Sequence, residues 1–373
     1  RKREAADFRY NFRRERYFFN QLLIDDLHTF NTTRHYHDIV LRVTPENFPD
    51  LIFSYSRLTR DGQLQTTKDI ERDEFELDQP LDEVTDEYAV GTEFTAAGFD
   101  FFLEERFRNF DNDFSLLLPG PSAGFNPGNF TALQLHRWNQ VESSDTTISR
   151  GRVHRVFGDR LETSVGYVIS DADLDFDVDA FTSGVQFEGE DFETTTTGSG
   201  QVDKTVQIYD LAVTYQIIPD LHWNNYYRYH DVDQDGGLTL DDLEIFPSLG
   251  TIVSTAGDAL TSQDIQAHTY STNLEYYPIP DLMLRAGYRY QQRDVLAVIT
   301  AGGLDRTSVE TQADTAVLGV NYRCKDLFKV YAEYENDSIE EPFTRISPTD
   351  VDRAKVKAKY MPMDKLHFNL NFI

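Results

Sequence analysis

Leu282-Met283-Leu284-Arg285-Ala286-Gly287-Tyr288-Arg289-Tyr290 decides the fold. Read by twos, Leu282, Leu284, Ala286, Tyr288 and Tyr290 fall on one side, and Met283, Arg285, Gly287, Arg289 and then Gln291 on the other. Successive side chains of a strand point to opposite faces, so this stretch predicts a strand with one oily and one charged face. The pattern recurs. Over 351–360, Ala354, Val356, Ala358 and Tyr360 oppose Arg353, Lys355, Lys357 and Lys359. Over 366–373, Leu366, Phe368, Leu370 and Phe372 oppose His367, Asn369 and Asn371. Residues 316–323 and 209–217 alternate in the same way. The weakest instance is 144–156, where Arg150, Arg152 and His154 alternate against little that is apolar.

The alternating runs come in pairs joined by short reversals. These often place Asp before an apolar residue: Pro49-Asp50-Leu51, Pro219-Asp220-Leu221, Pro280-Asp281-Leu282, Lys325-Asp326-Leu327 and Met363-Asp364-Lys365-Leu366. Pro fixes φ and Asp caps the turn. The pairs are 36–43 with 51–60, 86–95 with 99–110, 144–156 with 161–170, 205–217 with 221–230, 266–277 with 282–293, 312–323 with 327–336, and 351–360 with 366–373. Between pairs lie polar, acidic segments that read as long loops: 61–85, 111–143, 171–204, 231–265, 294–311 and 337–350.

A soluble one-sided sheet also alternates, but it needs a second layer over its apolar face, and no amphipathic helix is present to supply one. No run approaches the roughly 20 apolar residues of a membrane helix, and the mean hydropathy is -0.50. Strands of about ten residues suit a tilted membrane strand. The expectation is all-β: a single transmembrane antiparallel up-and-down β-barrel over 1–373, with short periplasmic turns and long acidic extracellular loops. The pairs give about fourteen strands, and residues 7–18, within an N-terminal segment 1–34, supply a first one. With both termini periplasmic the barrel would have at least about 16 strands and a C-terminal end cut short. The opening Arg1-Lys2-Arg3-Glu4 is not a signal peptide, so export is inferred from architecture.

The net charge is -29, which argues against nucleic acid as a partner. Outer-membrane lipid is the partner that the oily faces demand. One cysteine, Cys324, excludes an intrachain disulfide, and no haem-attachment motif gives the chain a haem of its own. A homo-oligomer stays open, with no interface signature visible.

Tyr226-Tyr227-Arg228-Tyr229-His230-Asp231 and Gly287-Tyr288-Arg289-Tyr290-Gln291-Gln292-Arg293-Asp294 end strands in a Tyr-Arg-Tyr style with Asp close behind. In that style the chain resembles the outer-membrane porins, and within them the MtrB/PioB family, over most of 35–373. The resemblance implies a large barrel that sheathes a periplasmic multihaem cytochrome and has no redox centre of its own. The Cys pair near the start of some members of that family is absent here.

Two local features suggest sites. Asp231-Val232-Asp233-Gln234-Asp235-Gly236-Gly237-Leu238-Thr239-Leu240-Asp241-Asp242 has the spacing of a calcium loop. Asp231, Asp233, Asp235 and Asp242 would supply carboxylates, Gly237 its carbonyl, and Thr239 a contact through water. Position 12 is Asp and not Glu, and the flanking 226–230 reads as strand, so the plain alternative is an acidic solvated turn. The second feature is the row Arg353, Lys355, Lys357 and Lys359. With Arg285, Arg289, Arg323 and Lys329 it would line a pore, with Glu333 and Glu335 as partners and Glu87, Glu93, Asp100 and Glu104 elsewhere on the wall. Such a wall either biases permeant ions or closes into neutral salt-bridge ladders. No nucleophile elbow, phosphate loop or HExxH appears, so no enzyme is expected. Three readings follow: a pore for small polar solutes or ions, a non-redox sleeve for a multihaem cytochrome, and a calcium-binding surface or adhesion barrel.

Overall fold

The computed structural model describes residues 6–19, 29–126, 128–300, 305–324, 327–341, 348–363 and 366–372. They form fifteen strands, with no helix among the described residues. The first eight are β1 Ala6–Phe19, β2 Phe30–Val43, β3 Asp50–Ile70, β4 Asp73–Ala96, β5 Phe99–Leu117, β6 Ala132–Phe157, β7 Leu161–Val185 and β8 Asp191–Ile218. The rest are β9 Leu221–Phe246, β10 Thr251–Ile279, β11 Leu282–Ile299, β12 Asp305–Cys324, β13 Phe328–Glu340, β14 Asp350–Met363 and β15 Leu366–Phe372. Each pairs antiparallel with the next in one sheet ordered β1 to β15. This is the up-and-down order expected from the sequence, and β1 is the strand expected over 7–18. Of the expected turns, Lys325-Asp326 and Asp364-Lys365 lie outside the described residues, as does Ile373 of the expected strand 366–373.

The register keeps the faces apart. Leu284 sits opposite Tyr276 and Val320, while Arg285 sits opposite Glu275 and Gly319. On one face a band of apolar side chains runs from β3 to β15, including Phe53, Val90, Leu103, Val165, Leu211, Leu284, Leu318 and Leu370, all of them exposed. Tyr and Trp crowd both edges of the band, with Tyr167, Tyr209 and Tyr229 in one cross-strand row and Tyr215 beside Trp223 in another. Apolar bands flanked by aromatic girdles are the lipid-facing signature of outer-membrane barrels.

The acidic segments are where the structure departs from expectation. Residues 61–70, 73–85, 171–185, 191–204, 231–246 and 251–265 are strand, not loop, as are 294–299 and 305–311. Within 111–143 only 118–131 lies outside the main strands, and within 337–350 β13 runs to Glu340 and β14 starts at Asp350. Strands reach 29 residues in β10, far beyond the roughly 9–11 that cross a bilayer. The excess forms a tower of β-ribbons above the band.

β7 shows why. Its outward face carries Leu161, Val165, Tyr167 and Ile169, then Asp171, Asp173, Asp175, Asp177 and Asp179. Its inward face carries Glu162, Ser164 and Gly166, then Leu174, Phe176, Val178 and Ala180. Period two never breaks, but the oily side swaps. Below Ile169 the outer solvent is lipid. Above it the outer solvent is water, so carboxylates face out and apolar residues pack inward.

The tower tips share one core. Phe75 and Leu77 of β4, Leu118, Leu133 of β6 and Phe192 of β8 form a buried cluster, with Ile70, Leu116 and Phe246 packed against it. β4 and β8 lie four places apart in the sheet, about 19 Å at the usual strand spacing. Their tips meet only because the wall curls and bends inward. Polar staples fix the cap. Asp73 Oδ1 accepts the N–H groups of Phe125 at 3.1 Å and Asn126 at 2.9 Å. Gly124, at φ +71, lies so close that a Cβ there would meet the Asp73 carboxyl at 2.5 Å. Arg72 reaches across to Glu188 at 3.8 Å and lies over the Phe187 ring.

Candidate functional site: the inner wall

At the level of the apolar band, the inward residues of β2 to β14 are largely charged or polar, and the register brings opposite charges together. Arg42 holds Asp50 at 3.0 Å and also Glu93. Arg106 bridges Glu87 at 2.5 Å and Glu104 at 2.9 Å, and Arg108 adds a second contact to Glu87 at 2.7 Å. Arg150 approaches Glu104 at 3.7 Å. Asp210 accepts from Arg228 at 2.7 Å and from the Tyr226 hydroxyl at 2.6 Å. A cavity of about 1210 Å³ opens on this side, lined among others by Arg42, Glu93, Arg150, Arg152 and Asp210.

The residues expected to line a pore do share this face. Arg285 pairs with Glu333 at 3.3 Å. Arg289 lies 3.8 Å from Glu335 and 3.7 Å from Asp337. Arg353 lies 3.6 Å from Glu335 and 3.0 Å from Asp337. These three arginines are neutralised across strands: Arg353 stands directly opposite Glu335, while Arg285 and Arg289 reach over Gly319 and Thr315 of β12 to the acids of β13. Arg323, Lys329, Lys355, Lys357 and Lys359 complete the row toward the β12–β13 and β14–β15 turns.

The expected calcium loop is not a loop. Asp231–Asp242 lies within β9, paired on both sides, with Asp231 opposite Gln207 and Gln266. Asp231, Asp233, Asp235, Gly237 and Thr239 share the outward face, while Asp242 has the opposite parity and accepts from Thr196 Oγ1 at 2.5 Å. A straight strand cannot wrap these oxygens around one ion. Among the described residues no group of three or more His, Cys, Asp or Glu is placed to hold a metal.

Arg42 and Arg106 were not picked out from the sequence, and Arg150, Asp210 and Arg228 stood there only within alternating or strand-end segments, not as wall residues. Their signal was strand parity, since Glu104, Arg106 and Arg108 alternate with Leu103, Glu105 and Phe107. The tower also holds a buried histidine. His136 is 3% exposed, and its Nδ1 lies 2.8 Å from Thr182 Oγ1. Burial, with the nearby Lys68 charge, lowers its pKa to about 4.

Residues 145–373 match the family profile described as putative outer membrane beta-barrel porin, MtrB/PioB. The chain belongs to the MtrB/PioB family. This MtrB/PioB barrel is an outer-membrane protein, and its apolar band faces lipid. No curated protein matches it. The fold is shared with the ferric yersiniabactin uptake receptor FyuA from Yersinia pestis, at 9% identity and TM-score 0.51, over 98% of this chain and 66% of that one. It is shared with the siderophore receptor PiuA from Acinetobacter baumannii, at 9% identity and TM-score 0.50, over 98% of this chain and 67% of that one. The chain thus spans about two thirds of the length of these receptors.

Proposed function

We propose that this barrel forms a polar passage through the outer membrane for small solutes or ions. The observation that carries the reading is the inner wall, where charged side chains face inward at the level at which the outside is apolar. Charges on a membrane-spanning wall are tolerated where water or protein fills the interior. Paired charges lower the net field, so the passage would be polar without strong selectivity over most of its circumference. The test is planar-bilayer conductance of the purified barrel. Steady ohmic conductance supports the passage, and silence across the voltage range defeats it.

A second reading is favoured by the family match over 145–373. A non-redox sleeve around a periplasmic multihaem cytochrome would need a wall of this paired kind. Silence of the barrel alone, together with co-purification of a haem protein, would select the sleeve.

A further inference from the structure

We propose that Lys329, Lys357 and Lys359 form a binding station for phosphate-type oxyanions carrying two or more negative charges. The station deepens the passage reading and rests on it for its role in transport, though binding itself does not require conduction.

Cross-strand rows make the case. Toward the tower, Gly319, Glu333 and Lys355 form one row, and Val317, Glu335 and Arg353 the next. In each, an acid faces a base. The two rows nearest the short turns break this rule. One is Asn321, Tyr331, Lys357 and Asn371. The other is Arg323, Lys329, Lys359 and Asn369. No acid stands among these eight residues, and Lys329 directly opposes Lys359. Like charges directly opposite one another destabilise a sheet. Asp281, whose carbonyl accepts the Arg323 N–H at 2.8 Å, lies beyond Arg323 on the side away from the lysines. No ion pair to Lys329, Lys357 or Lys359 occurs among the described residues. The neighbouring inward acid on β13, Glu333, is engaged by Arg285.

The spacing suits one multivalent anion. Opposed residues have Cα atoms about 4.5–5.5 Å apart, and alternate residues on a strand about 7 Å. Three ammonium groups on flexible stems can therefore converge on one group between them. The side-chain amides of Asn321, Asn369 and Asn371 add neutral donors around the patch. An anion there would offset the repulsion that the register builds in.

The test is calorimetric titration of the full barrel in detergent with pyrophosphate at low ionic strength. Wild type and Arg137→Gln, a change on the outward face of the tower, are expected to bind saturably. The combined Lys329→Gln, Lys357→Gln and Lys359→Gln variant is expected to bind about tenfold or more weakly. Amide exchange checks that its strands are intact. Equal binding by the lysine variant overturns the station. So does wild-type binding of poly-glutamate with none of pyrophosphate, which would assign the patch to an acidic polypeptide. Conductance without pyrophosphate binding removes the station and leaves the passage. Binding without conductance removes the passage and leaves the station.

Discussion

The two halves of β7 share one unbroken ladder and oppose each other in chemistry. From Leu161 to Ile169 the oily side chains face out, and from Asp171 to Asp179 the carboxylates do. Backbone pairing is indifferent to the surrounding solvent, while side-chain placement is not. The change between Ile169 and Asp171 therefore marks where lipid gives way to water, and the inner face answers with Leu174, Phe176 and Val178.

That contrast can be broken most severely at the tip. Phe75→Ala should cost about 3–5 kcal/mol of local stability, as for a large buried aromatic side chain. Amide exchange at Leu77, Leu133 and Phe192 should accelerate, with the band strands unmoved. Unchanged protection would mean that the tower has no interior of its own. Next comes Leu211→Arg on the outward face of the band, expected to cost about 2–4 kcal/mol in denaturant unfolding from lipid vesicles. Asp175→Arg, on the same kind of face above the band, should be nearly silent in that assay. Equal penalties would erase the boundary.

Acid acts on the tower through one buried side chain. His136 is buried neutral, with its pKa lowered to about 4 from 6.5. The unfolded chain takes up a proton that the folded tower refuses, so stability is full above about pH 6.5 and falls as pH drops toward 4. Protease resistance of the tower should weaken over that window in wild type and weaken less in His136→Gln. The smallest effect is expected for Asp175→Asn, within about 0.5 kcal/mol in the same vesicle unfolding assay, because it is a solvated surface change.

Much of the barrel was legible because short turns and two-residue alternation are local signals. Pro280-Asp281 and the parity of 282–290 sufficed to place β10 against β11. The tower was misread because its acidic residues were weighed as composition rather than by parity. Asp171, Asp173, Asp175, Asp177 and Asp179 alternate as strictly as any membrane strand. The calcium-like spacing misled about the backbone for the same reason: Asp231, Asp233 and Asp235 fit the opening of an ion-binding loop and equally one face of a strand. Local sequence does not choose between them, whereas the ladders to β8 and β10 do. The Arg42, Glu93 and Asp50 cluster needed three strands in register, which no single window reveals.

The shared tip core has a consequence for biogenesis. Its members come from β4, the segment after β5, β6 and β8, so Phe75 and Leu77 have no complete shelter until Phe192 is in place. An intermediate halted after β5 would display sticky aromatic surface to the exterior. The extracellular crown should thus be the last part of this half to solidify, and a chaperone's grip would matter most at that moment.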